Sequence, residues 1–315
     1  MNNIILALNV VFPLLLMMSV GYFLRILKIT DTPSLNVMNR IVFRVFLPLL
    51  LFLNIYSIKT DEIFNPNNSV LILLIVLCVL GITLLLHLLL PYFIKDRKKI
   101  SVVIQGIFRS NLIIFGIPIA VSIYGENHIG VVSLLAAIVV PLYNVLAVIV
   151  LEYYREGVIK FKAIILGVVK NPLVLASFIG FLFLILKLHI PGLILSPLNS
   201  MSKVATPLAF VVLGGSFRFE HLSKNVKYLS LVTLSRLIFF PAFVFILAIL
   251  LGFRNEALVA LIGAAASPTA VSSFTMAMEM DADGELAGQI VVVTSIASIL
   301  TIFIWVLLLG TWHFI

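Results

Sequence analysis

Two short stretches decide how this chain folds: Asn111-Leu-Ile-Ile-Phe-Gly116-Ile-Pro118 and, near the other end, Ala264-Ala-Ala-Ser267-Pro268-Thr269. Each lies inside an apolar run, and each carries a proline beside a glycine or a serine. A proline removes a helix N–H and clashes with the preceding turn. In lipid no water replaces the lost bond, so such breaks persist only against protein or a polar cavity. Two of them, one in each half, read as the centre of a transport protein whose binding site lies between interrupted helices.

The surrounding composition agrees. The 315 residues are 62% hydrophobic and only 11% charged, with a mean hydropathy of +1.24. A water-soluble domain does not carry that much apolar surface. The +8 formal charge has no soluble basic domain through which to bind nucleic acid, so a nucleic-acid partner is not expected. The first apolar run lacks a positive leading region and a small-residue cleavage site before Arg25, and reads as a permanent span rather than a cleaved signal. Cys78, the single cysteine, leaves no intramolecular disulfide.

A window of about 19 residues predicts ten spans: 4–24, 37–56, 69–94, 100–124, 129–151, 172–188, 201–219, 228–251, 257–278 and 286–309. The ninth, rich in Gly, Ala, Ser and Thr, suits close packing inside a bundle. The stretch 158–170 before the sixth reads as an amphipathic helix on the membrane surface. With the amino terminus outside, the inner loops collect thirteen Lys and Arg, Lys160 among them, against Lys59, Lys187 and Arg254 outside. The positive-inside rule therefore predicts a multi-pass cytoplasmic-membrane protein with both termini extracellular.

Ten spans divide into five and five, residues 1–156 and 157–315, and an odd number per half makes the halves inverted. Leu35-Asn36-x-Met38-x-Arg40 opens span two and Leu198-Asn199-x-Met201-x-Lys203 opens span seven, a trace of duplication. The breaks fall in spans four and nine, again equivalent places. The expected fold is all-α and integral to the membrane, with helices 4 and 9 broken and crossing. Half-helix amino ends would there offer partial positive charge and N–H groups to an anion.

The candidate substrate-binding residues follow from the breaks: Asn111, Gly116, Pro118, Asn144, Ser267, Pro268, Thr269, Ser272 and Ser273. Arg44, Arg109 and Arg236 lie within spans, the last two on the order of 13 Å deep. Buried guanidinium groups are costly unless they reach water or an anion, so these three either line a basic vestibule that gathers anions or snorkel to a helix end. Enzymatic readings fail on inventory. All five aspartates, Asp31, Asp61, Asp96, Asp281 and Asp283, fall in loops, and there is no H-E-x-x-H, no nucleotide-binding G-x-x-x-x-G-K-[ST] and no thiolate metal site. No cofactor or metal is expected.

Asn111-x4-Gly116-x-Pro118, Pro141-Leu-Tyr-Asn144 and the five-plus-five span pattern resemble the auxin efflux carrier family, whose bacterial members are known as malate, malonate or oxalate type permeases. The resemblance implies a fold similar to sodium/proton antiporters and bile-acid symporters. Helices 1, 2, 6 and 7 would form a scaffold, open to a homodimer, and helices 3–5 and 8–10 a moving transport domain. It also implies a substrate site at Asn111 and the crossover prolines. Bile-acid type symporters hold sodium partly with an acidic side chain on the second broken helix, and 257–278 has none. The expectation is a secondary transporter of a small organic anion, mono- or dicarboxylate, by uniport or proton coupling. A sodium-coupled organic anion symporter and a non-transporting membrane anion sensor are the alternatives.

Overall fold

The computed structural model describes residues 2–58, 66–155 and 161–315. The expected boundary between halves at 156/157 lies outside those residues, as do Lys59, Asp61 and Lys160. Among the described residues every regular element is helical: α1 (Asn2–Ile26), α2 (Thr32–Ile41), α3 (Leu47–Tyr56), α4 (Pro66–Phe93), α5 (Arg97–Phe108), α6 (Leu112–Tyr124), α7 (Gly130–Arg155), α8 (Phe161–Lys170), α9 (Pro172–Ile185), α10 (Gly192–Ser202), α11 (Ala205–Ser216), α12 (Leu222–Leu234), α13 (Phe240–Leu250), α14 (Glu256–Leu261), α15 (Ser272–Glu279) and α16 (Gly284–Thr311).

Six helical segments are long and apolar enough to cross a bilayer: Leu8–Ile26, Thr32–Tyr56, Asn68–Phe93, Gly130–Arg155, Phe219–Leu250 and Gly284–Thr311. A seventh is the pair Ile164–Lys170 and Pro172–Ile185, bent by 58°. The bend has a local cause. Asn171 accepts from the N–H groups of Leu173 and Val174, and Pro172 occupies the first helical position, so a new helix starts there. Helix α8 covers 161–170 of the expected surface helix, while 158–160 lie outside the described residues. The remaining stretches expected to span are in pieces: α5 with α6, α10 with α11, and α14 with α15.

Two long segments keep their course through a proline by widening one turn. Val42–Phe46 and Ser235–Phe239 are π turns, just ahead of Pro48 and Pro241. A proline lacks the N–H that would bond the carbonyl four residues back, and a wider turn absorbs the mismatch. The sequence therefore has prolines here without helix ends. Exposed leucines and phenylalanines, such as Leu73, Leu77, Leu84 and Leu88 on α4 and Phe178 on α9, coat the outer surface, as lipid contact requires.

Helix α1 packs on α11, and α3 on α9 and α10; α5 packs on α4 and α7, and α12 on α16. The α1–α11 contact depends on small residues. A Cβ on Gly21 would fall 1.8 Å from the Val211 carbonyl oxygen, and one on Gly214 would fall 1.9 Å from that of Met18. Gly21→Ala is therefore expected to push the two backbones apart and to cost about 1–3 kcal/mol by overpacking. Thermal unfolding in detergent reads this directly, and an unchanged transition would mean that the contact is not close.

Candidate functional site

The site begins with the two interruptions. Helix α5 stops at Phe108 and α6 resumes at Leu112; Arg109 leaves the helix with φ −91° and ψ 105°. On the other segment, Ile262–Ala266 is a π turn, Ser267 is extended, and α15 begins at Ser272. The two gaps lie side by side. Asn111 N–H donates to the Pro268 carbonyl at 2.9 Å, and Ala270 N–H donates to the Arg109 carbonyl at 3.2 Å. Ser110 and Thr269 thus form an antiparallel bridge between the breaks. Part of the backbone left unpaired at each break is satisfied by the opposite break, which buried peptide groups require.

The glycines allow this approach. A Cβ on Gly263 would fall 2.6 Å from Gly116 Cα, so Gly116 is where the two interrupted segments touch. Ser267 Oγ donates to the Gly263 carbonyl at 2.6 Å, and Thr269 Oγ1 donates to that of Gly106 at 2.7 Å. Thr269 N–H donates to Thr294 Oγ1 at 3.2 Å. These side chains are fully buried and tie backbone to backbone.

Arg236 closes the carboxyl-terminal side of the crossing. It is 0% exposed. Its Nε donates to the Ser267 carbonyl at 2.9 Å, Nη1 to those of Ile107 and Phe108 at 3.1 and 3.4 Å, and Nη2 to that of Ala264 at 3.0 Å. The guanidinium therefore spans the carbonyl ends of both interrupted segments, where the helix dipoles are negative.

On the amino-terminal side lies a cavity of about 120 Å³, lined by Asn54, Arg109, Ser110, Asn111, Leu112, Ile113, Ile114, Tyr143, Asn144, Ala270, Val271 and Ser272, with apolar residues of α3, α7 and α9 and Thr206 of α11 around them. Its polar lining combines a guanidinium and three amides with hydroxyls that can donate or accept. Arg109 is 3% exposed, and its Nη2 makes a short hydrogen bond to Asn144 Oδ1 while Nη1 donates to Met276 Sδ at 2.7 Å. Because Oδ1 of Asn144 is taken, its Nδ2 is left over. The Nδ2 atoms of Asn54, Asn111 and Asn144 are all buried without a hydrogen-bond partner among the described residues. First-turn N–H groups of α6 have no partner within their helix, and Leu112, Ile113 and Ile114 line the cavity; at α15 the N–H groups of Ser273 and Phe274 already donate to the Ala270 and Val271 carbonyls. No carboxylate lines the cavity.

The expected residues thus separate by position. Asn111, Asn144, Ser272 and Arg109 meet at the cavity; Pro268 contributes its carbonyl to the bridge; Gly116, Ser267, Thr269 and Arg236 are behind it. Pro118 lies within α6 and Ser273 is buried with its hydroxyl unpartnered, neither lining the cavity. Arg44 is exposed on the π turn of its segment, so the three arginines do not converge. Sequence reading passed over Asn54 and Tyr143. Tyr143 Oη donates to the Ala264 carbonyl at 3.1 Å and accepts from Ser110 Oγ at 3.3 Å. An asparagine in an otherwise apolar span was the available signal for Asn54.

A second space, about 380 Å³, is lined by Asn54, Ser57, Ile113, Glu126 and Ser133 among others. Asn54 and Ile113 border both spaces, so among the described residues the cavity adjoins an opening at that end of the molecule. At the opposite end α2 and α15 are tied together: Asn39 Nδ2 donates to the Thr275 carbonyl and to Glu279 Oε1, both at 3.2 Å.

Apolar membrane-crossing helices, with two interrupted segments paired around a small cavity that has a guanidinium and amides in its lining, define a membrane transport protein. The comparison with known families agrees: the membrane transport protein model matches residues 6–160 and 158–306. The chain belongs to that family, the auxin efflux carrier family. It is 27% identical over 306 residues to an uncharacterized transporter of Methanocaldococcus jannaschii, covering 94% of this chain and 97% of the relative. It is 24% identical over 302 residues to an uncharacterized transporter of Methanothermobacter thermautotrophicus, covering 94% and 96%. Both names specify transport and no substrate.

Proposed function

We propose that this chain is a secondary carrier that moves a small organic anion across the cytoplasmic membrane by alternating access, with the anion bound in the cavity beside the crossing breaks. The observation that carries the reading is chemical. One guanidinium, three unpartnered amide Nδ2 groups and the amino end of α6 surround a space whose lining holds no carboxylate. Buried donors without acceptors are costly, and a carboxylate supplies the missing acceptors together with the negative charge that Arg109 and the α6 dipole favour. A cavity of about 120 Å³ suits an acid of a few heavy atoms.

In this reading ten helical passes form two inverted halves, residues 1–156 and 157–315. Helices 3–5 and 8–10 move against a scaffold of 1, 2, 6 and 7, through which two copies can pair. Both termini are extracellular. The opening at Ser57 and Glu126 then faces outside, and the Asn39–Glu279 tie closes the cytoplasmic side.

Asn111→Ala tests the site. It removes one donor to a charged ligand and is expected to weaken substrate binding by about 1.5–3 kcal/mol, roughly 10- to 100-fold, with membrane insertion unchanged. Wild-type uptake in that variant would refute the site. Counterflow of labelled substrate separates a carrier from a sensor, which gives no exchange.

A further inference from the structure

The charge inventory of the interior is one-sided. Arg109 and Arg236 are buried at the crossing, and every hydrogen-bond partner of either is neutral: an amide oxygen, a thioether sulfur and four backbone carbonyls. The four ion pairs among the described residues involve other side chains. On the helices around the crossing, the carboxylates Glu152, Glu256, Glu279 and Glu285 stand in first or last turns, and none lines the cavity. The core between them carries two guanidinium charges that no carboxylate neutralises.

We propose that these charges make the protein an obligatory anion exchanger, in which the loaded core crosses readily and the empty core does not. The proposal rests on the carrier reading above. With the cavity open to one side, water reaches Arg109 through the space at Asn54 and Ile113 and screens its charge. At the midpoint of alternating access neither side is open, and the core must pass with whatever charge it contains. Low-dielectric surroundings penalise net charge steeply. A bound carboxylate lowers that charge and supplies the acceptors that the three amides lack, so the occupied form has the lower barrier. An empty core keeps both guanidinium charges and returns slowly. Each additional negative charge on the ligand lowers the barrier further, so a dicarboxylate exchanges faster than its half-amide of the same size.

The test uses the purified full chain in proteoliposomes, with the membrane potential clamped by potassium and valinomycin so that charge movement alone cannot stall net flux. Vesicles loaded with labelled malonate, succinate or lactate are diluted into buffer with or without the same unlabelled acid. The expected result is efflux at least about tenfold faster with external acid present, and exchange of succinate faster than that of succinamate. Arg109→Gln, assayed at saturating substrate, is expected to bring the two efflux rates together, because its empty core carries one charge less. A mere packing role for Arg109 would leave the ratio unchanged. Equal efflux into acid-free buffer by the wild type would overturn the exchanger while leaving the carrier intact. No movement of any of the three acids in either mode would sink the carrier reading itself.

Discussion

Arg236→Met is expected to be the most destabilising single substitution in this molecule, at about 1–3 kcal/mol for each buried carbonyl left without a donor. The reason is the geometry of the guanidinium. Four carbonyl oxygens, of Ile107, Phe108, Ala264 and Ser267, accept from it, and they belong to the two helix ends that the breaks create. Helix carboxyl ends leave carbonyls without intrahelical donors, and here no solvent reaches them. Methionine fills most of the volume and supplies no donor. Two negative dipole ends would then face each other without a counter-charge. Arg236→Lys keeps the charge but has fewer donors and no planar fork, so it is expected to recover part of the loss. Thermal unfolding of the detergent-solubilised variants measures the order wild type, Lys, Met. A methionine variant as stable as wild type would show that the carbonyls find other partners and that Arg236 does not hold the crossing together.

Proline chemistry is local, so the sequence marked both segments as interrupted; Pro268 does stand in the gap before α15, whereas the other gap falls at Arg109–Asn111 and Pro118 lies about two turns further on inside α6. Local chemistry does not say how a helix passes a proline. Pro48 and Pro241 are accommodated by π turns at Val42–Phe46 and Ser235–Phe239, and the choice between a wide turn and a full break depends on what packs alongside. The destination of each polar side chain is likewise a tertiary property. Ser267 and Thr269, adjacent to the break and read as ligands, turn their hydroxyls to the Gly263 and Gly106 carbonyls. Asn111 and Asn144, 33 positions apart in chain order, reach one cavity because α6 and α7 pack together. Asn54 joins them from α3, a helix that no local pattern links to the breaks. Arg109 and Arg236 looked equivalent by depth, yet one faces the cavity and the other faces backbone. Depth follows from counting residues, whereas facing depends on the neighbouring helices.

Arg109→Gln is expected to reduce affinity for the anion by about a hundredfold, within the range found when one partner of a buried charged contact is removed. Arg109 acts twice in the cavity. Its guanidinium is the only full positive charge in the lining, and its Nη2 holds Asn144 Oδ1, which leaves Asn144 Nδ2 available to the ligand. Glutamine removes the charge and loosens Asn144, so the loss exceeds that of a single neutral donor such as Asn111. The same coupling predicts non-additivity. In a double-mutant cycle with Asn144→Ala, the double variant should lose clearly less than the sum of the singles, because the second substitution removes a donor that the first has already misdirected. The contact is buried, so the effect should persist at high salt, where a surface attraction would be screened. Titration of purified protein with malonate or succinate, followed calorimetrically at low and high ionic strength, gives both answers. Additive losses, or an Arg109→Gln deficit that vanishes in salt, would place the positive charge outside the binding site and leave the cavity without its strongest attraction for an anion.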